Sequence, residues 1–181
     1  MIVLVGFMGA GKTTVGRLLS RRLGLSFADV DAVIAEREGL AVQQIFAERG
    51  EPAFRALEQE TIASLLSEPR LVLALGGGAT EHEQTRRLLI ESTGPGGAVE
   101  VVYLHVPYAG ALDRVGGDDG RPMLARPDLA RVYQRRLVNY QAVATLTVST
   151  EGRGPGQVCA DIVSRLAASP GWPAYSGPGN R

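Results

Sequence analysis

The sequence predicts an α/β protein built on a parallel sheet, and two observations carry that prediction. The chain opens on a short apolar, β-branched run, Ile2-Val3-Leu4-Val5, which passes through a glycine-rich loop into a helix-like segment. Further on, Leu71-Val72-Leu73-Ala74-Leu75 is continuously apolar, the pattern of a strand covered on both faces. A chain of 181 residues suits one domain with a proper core, expected over residues 1–168, with 169–181 read as a poorly ordered Pro- and Gly-containing tail.

The loop after the first strand reads Gly6-Phe7-Met8-Gly9-Ala10-Gly11-Lys12-Thr13-Thr14, a G-x-x-x-x-G-K-T pattern. Its glycines let successive backbone N–H groups turn toward one anion, and the following helix adds its positive end. Val15, Leu18, Leu19 and Leu23 supply the apolar spacing of that helix. Lys12 is the only lysine in the chain; every other strong base is arginine. A composition that uses arginine everywhere else points to a demand here for a compact ammonium, suited to reach phosphate oxygens.

The next segments carry weaker signals. Asp29-Val30-Asp31 places two carboxylates two residues apart, on one side of the chain if the segment is extended. Asp31 could equally cap the helix that starts at Ala32. Residues 32–66 read as helical pieces broken near Gly39 and Gly50, with Arg55 and Glu58 three apart on one face. Composition alone favours a surface pair there, worth about 0.5 kcal/mol. Gly76-Gly77-Gly78 follows the third strand, either as a floor for a ligand or as a flexible turn. Glu83 to Ile90 reads as a helix and Ser92 to Gly97 as a loop.

Val99 to Val106 is the fourth strand, in which His105 is expected to be structural; His82 is expected in a loop or cap. A short helix ends near Arg114, and the glycine-rich stretch from Val115 to Arg126, with Arg121-Pro122-Met123-Leu124, reads as a lid that closes over a ligand and excludes water. Asp128 to Tyr140 is helical, with Arg131, Arg135 and Arg136 read mainly as a solvated face. Thr145 to Ser149 is the last strand, and a final helix runs to about Ala168.

Bulk properties exclude several classes. Formal net charge is zero, so no global basic field favours nucleic acid. Nothing is long and apolar enough to span a membrane, and a signal peptide is not expected ahead of the first strand. The lone Cys159 lies on an apolar helical pattern and reads as buried and structural. A soluble monomer in a reducing cytoplasm fits these properties.

Taken in order, these markers resemble those of shikimate kinase, a P-loop kinase of the nucleoside monophosphate kinase type. The markers are Gly6 to Thr13, Asp29-x-Asp31, Gly50-Glu51-x-x-Phe54-Arg55-x-x-Glu58, Gly76-Gly77-Gly78-Ala79, Arg121-Pro122-x-Leu124, and Arg136 with Tyr140. The resemblance implies a three-layer α/β/α P-loop NTPase fold with a five-stranded parallel sheet of order 2-3-1-4-5 and a mobile lid. It implies phosphorylation of the 3-hydroxyl of shikimate by ATP with Mg²⁺. Gly9, Ala10, Gly11, Lys12, Thr13 and Thr14 would then hold the phosphates, with Thr13 and Asp29 toward Mg²⁺. Arg114 and Pro155 would flank the adenine, and Arg121 would neutralise charge on the transferring group. Asp31 would be the base, Arg55, Arg136, Gly77 and Gly78 would bind shikimate, and Glu58 would position Arg55. One departure is Arg136-Leu137-Val138-Asn139-Tyr140, where the family usually has a proline between arginine and tyrosine. A related cyclitol or sugar acid is the alternative acceptor.

Overall fold

The computed structural model describes residues 1–93, 99–115 and 127–169. Five parallel strands form one sheet in the order β2-β3-β1-β4-β5. They are β1 (Ile2–Val5), β2 (Ser26–Asp29), β3 (Leu71–Ala74), β4 (Glu100–His105) and β5 (Leu146–Ser149). β1 lies at the centre, with Val3 level with Leu73 of β3 and with Val101 of β4. All four residues of β1 and of β3 are buried, which is why both read as unbroken apolar runs. The helices are α1 (Lys12–Leu23), α2 (Val30–Glu38), α3 (Val42–Leu65), α4 (Glu83–Thr93), α5 (Tyr108–Val115), α6 (Leu129–Val143) and α7 (Pro155–Ala167), with a 3₁₀ turn at Ala79–Glu81.

The expected breaks are present. Gly39 ends α2 in the left-handed region. Gly50, at φ 79° and ψ 168°, kinks α3, and Pro52 then sits in the first turn of its second half, where a missing N–H costs nothing. That kink turns Phe54, Arg55 and Glu58 onto a new helix axis.

Three expectations need correction. Asp29-Val30-Asp31 is not an extended pair: β2 ends at Asp29 and Asp31 lies in the first turn of α2. The cap is Asp29 rather than Asp31, its Oδ1 accepting from the Asp31 N–H at 3.2 Å. Helix α4 runs on to Thr93, taking in Ser92 and Thr93, which the sequence assigns to a loop. Their hydroxyls donate back to the carbonyls of Leu88 (2.7 Å) and Ile90 (2.8 Å), so both polar groups are satisfied within the helix. Helix α6 likewise continues past Tyr140 to Val143, which is buried.

The core joins both faces of the sheet. Leu19 and Ile162 lie on one set of helices, and Ile62, Leu89, Val132 and Tyr140 on the others; all are buried against the strands. Cys159 is buried as expected. His82 caps the 3₁₀ turn, and His105 closes β4 with its ring edge-on to Tyr103. In a parallel sheet the strand C-terminal ends share one rim, and the segments after β1, β2, β3 and β5 meet there.

Candidate active site

The glycine loop after β1 closes on itself through Ala10 N–H donating to the Phe7 carbonyl at 3.2 Å. Gly9 (φ 73°) and Gly11 (φ 88°) occupy the left-handed region that other residues avoid. Gly11 is the N-cap of α1, so Lys12 and Thr13 stand on its first turn, where backbone N–H groups have no carbonyl of their own helix to bond and point toward the loop. Lys12 Nζ donates to the carbonyls of Gly6 (2.9 Å) and Phe7 (3.2 Å), which places the ammonium over the loop. Thr13 Oγ1 donates to Asp29 Oδ2 at 2.7 Å. This bond joins α1 to the end of β2.

A cleft of about 450 Å³ opens beside the loop, lined by Gly9 through Val15, by Arg114 and by Arg153, Pro155 and Val158. Ala10, Thr14, Arg114 and Pro155 therefore share one wall system, although some 40 residues separate the last two. Arg114 ties the cleft together. It donates to Gly9 O at 3.1 Å, to Thr150 Oγ1 at 2.9 Å and to Thr150 O at 2.5 Å. Arg153 joins the cleft without any signal in its sequence context.

On the other side of the loop, each glycine after β3 makes room for a different side chain. A Cβ on Gly76 would lie 2.5 Å from Glu58 Oε1 and 3.0 Å from Asp31 Oδ1. On Gly78 it would lie 2.5 Å from Arg55 Nη2. On Gly77 it would lie 3.6 Å from Arg136 Nη1 and 3.7 Å from the Gly6 carbonyl, an ordinary contact that shows how near this floor lies to the phosphate loop. Tyr140 Oη donates to Gly77 O at 2.5 Å and holds the floor against α6.

Arg55 and Glu58 are not a surface pair. Their side chains are 12% and 2% exposed, and Arg55 Nη1 donates to Glu58 Oε2 at 2.7 Å. Burial works against the Arg55 charge, but Glu58 and Glu51 hold its pKa above the ordinary arginine value. Burial pushes Glu58 up, opposed by Arg55. Glu58 Oε1 is buried and has no hydrogen-bond partner among the described residues, so one carboxylate oxygen faces Gly76 with its lone pairs unused. Burial, and then the neighbouring Asp29 charge, raise the Asp31 carboxyl, against the pull of Lys12 and Arg55.

Arg136 is buried on α6, with its guanidinium over the Phe7 ring at 5.9 Å. Its Nε donates to Glu81 Oε2 at 2.8 Å. Sequence reasoning misses Glu81 because the contact spans 55 residues and no local pattern marks it. It also leaves Tyr140 without a site role. Of the sequence candidates among the described residues, Asp29 meets the phosphate loop through Thr13 and the others fall on the cleft or the glycine floor. Val115, first residue of the expected lid, ends α5, and Arg121 with the rest of that stretch, 116–126, lies outside the described residues.

A parallel sheet of this order, a phosphate loop at its rim and, beside it, a floor lined by two carboxylates and two guanidiniums fit a P-loop phosphotransferase with a small-molecule acceptor. The comparisons sharpen the class. The shikimate kinase family matches residues 8–167. A shikimate kinase of Thermobifida fusca (strain YX) is 46% identical over 172 residues, covering 93% of this chain and 96% of its own. One from Salinispora arenicola (strain CNS-205) is 45% identical over 169 residues, covering 92% and 97%. The solved shikimate kinase of Acinetobacter baumannii in complex with shikimate superposes with a TM-score of 0.82 at 34% identity, covering 92% of each chain. The chain belongs to the shikimate kinase family.

Proposed function

We propose that this protein transfers the γ-phosphoryl group of ATP to the 3-hydroxyl of shikimate, giving shikimate 3-phosphate and ADP on the route to chorismate and the aromatic amino acids. The observation that carries the reading is the floor of Gly76-Gly77-Gly78. Two carboxylates, Asp31 and Glu58, and two guanidiniums, Arg55 and Arg136, converge on it beside the phosphate loop. A ring bearing several hydroxyls and one carboxylate matches that set, because hydroxyls donate to carboxylates and a carboxylate accepts from arginine forks.

In this reading Asp31 accepts the proton as the acceptor oxygen forms its new bond to phosphorus and the bond to the ADP oxygen breaks. Phosphoryl transfer is mainly positioning and charge neutralisation, so a carboxylate of modest basicity suffices. Arg55, held by Glu58, and Arg136 orient the substrate carboxylate. The loop N–H groups and Lys12 take the β- and γ-phosphates, and Arg114 and Pro155 flank the adenine. Arg121 would neutralise the transferring group.

The oxygen pair Thr13 Oγ1 and Asp29 Oδ2, 2.7 Å apart, fits Mg²⁺. No group of three or more His, Cys, Asp or Glu is arranged for a metal among the described residues. Mg²⁺ takes one or two protein oxygens and completes its shell with water and phosphate. Bound there, Mg²⁺ supplies neutralisation of phosphate charge. A single domain over 1–168, acting as a monomer in the cytoplasm without nucleic acid, completes the proposal; among the described residues no helix is long and apolar enough to cross a membrane.

The test is ADP release from Mg-ATP by the purified protein with and without shikimate. The expected result is shikimate-dependent release that Lys12→Ala abolishes. Stimulation by another cyclitol or sugar acid but not by shikimate would keep the mechanism and overturn the substrate.

A further inference from the structure

We propose that Glu81, with Arg135, is a positioning residue that sets the affinity of the acceptor site for the substrate carboxylate by fixing the edge of Arg136 turned to the glycine floor. The inference rests on the reading of shikimate as acceptor. Glu81 ends the 3₁₀ turn that follows the floor, and its backbone is tied down twice. Its N–H donates to Gly78 O at 2.9 Å, and Arg86 Nη1 donates to the carbonyls of Thr80 at 2.6 Å and Glu81 at 2.9 Å.

Each carboxylate oxygen then serves one arginine. Oε2 accepts from Arg136 Nε at 2.8 Å and lies 2.7 Å from its Nη2. Oε1 accepts from Arg135 Nε at 2.8 Å and Nη2 at 2.5 Å. Glu81 thus occupies the Nε/Nη2 edge of Arg136, while Nη1 points at Gly77. With Phe7 under the ring plane, the fork has its orientation held on two sides.

Charge explains the second arginine. Arg136 and Glu81 alone would form a neutral pair with little pull on an anion. Arg135 shares the same carboxylate, so the triad carries a net positive charge. The Arg136 side chain is 6% exposed and Arg135 58%, which leaves the buried member to face substrate and the outer one to balance Glu81.

Positioning and competition predict opposite signs. Removing Glu81 raises the net charge around Arg136, which favours an anion, but frees the fork to leave its orientation. If positioning dominates, Glu81→Ala raises KM for shikimate roughly ten-fold, the scale of a charge-assisted hydrogen bond. In that case kcat and KM for ATP stay within about two-fold, and Glu81→Asp restores part of the loss. The decisive control is the carboxamide of shikimate, for which the Glu81→Ala penalty should shrink well below that on the acid, because the amide oxygen still accepts from the guanidinium but carries no charge. Arg135→Gln should raise KM for shikimate more weakly. A lower KM in Glu81→Ala, showing competition for Arg136, would overturn the proposal. So would an unchanged KM, or an equal penalty on acid and carboxamide. If the unmodified protein fails to turn over shikimate at all, the substrate reading has failed first, which separates the two failures.

Discussion

At the scale of single residues, the chemistry depends on opposed charges packed closely under partial burial. Asp31 is raised above the ordinary aspartate range by desolvation and by Asp29, and Lys12 and Arg55 restrain the rise. The acid limb of kcat/KM should therefore lie above the ordinary aspartate value. Arg55→Met removes one restraining cation, so that limb should move to still higher pH. The same change should raise KM for shikimate on the order of ten- to a hundred-fold while sparing ATP binding, because a charged hydrogen-bond donor is lost from a half-buried site. Initial-rate pH profiles of both proteins check this; an unmoved limb would show that Asp31 does not titrate in it. Arg55 and Asp31 were readable as candidates from the order of motifs. Helix spacing and composition alone pointed to a surface pair for Arg55 and Glu58, because spacing does not say which face is covered; the motif order, which implied that Glu58 positions Arg55, agrees with the buried pair.

At the scale of elements, the connection from β3 to the 3₁₀ turn is tuned by space rather than by backbone freedom. None of Gly76, Gly77 and Gly78 adopts a positive φ. A methyl on Gly76 or Gly78 would meet Glu58 or Arg55 at 2.5 Å, whereas on Gly77 its nearest neighbour is at 3.6 Å. Gly78→Ala should therefore cost about 1–3 kcal/mol of stability, the usual range for overpacking, and weaken shikimate binding through Arg55. Gly77→Ala should unfold close to the parent protein in denaturant titrations. Equal losses in both would mean the glycines are required for another reason. The α2 entry makes a similar point. The run Asp29-Val30-Asp31 looks extended by its acid-apolar-acid alternation, yet Asp29 caps the helix and already bonds the Asp31 N–H, so the strand stops one residue into the motif.

At the scale of the whole molecule, stability and chemistry pull against each other. Burying Asp31 with a raised pKa means its charge costs stability at neutral pH. That cost disappears below the unfolded value of about 3.9, where the group is protonated in both states. Asp31→Asn should thus abolish turnover yet raise Tm at pH 7, because the amide carries no charge to desolvate. Its advantage should shrink as pH falls through the folded value. Glu81 has the opposite sign. Burial alone would raise it, but Arg136 and Arg135 hold it below the ordinary value, so its contribution is present above the unfolded pKa and is lost on further acidification. Thermal scans from pH 7 to pH 4 separate the two; a constant gap between Asp31→Asn and the parent would refute the burial argument.

The sequence by itself determined the α/β class, the strands, the phosphate loop and the family. Those depend on local apolar runs, glycine conformation and motif order, all of which are written within short windows. Only the tertiary structure decided which charges meet. Glu81 with Arg136, Arg114 with Thr150 and Glu58 with Gly76 are partners separated by 18 to 55 residues in the chain. The parallel sheet brings them together by delivering the ends of its strands to one rim. Electrostatic and steric forces act through a few ångströms of space, so partners of that kind carry no mark in the linear order of residues.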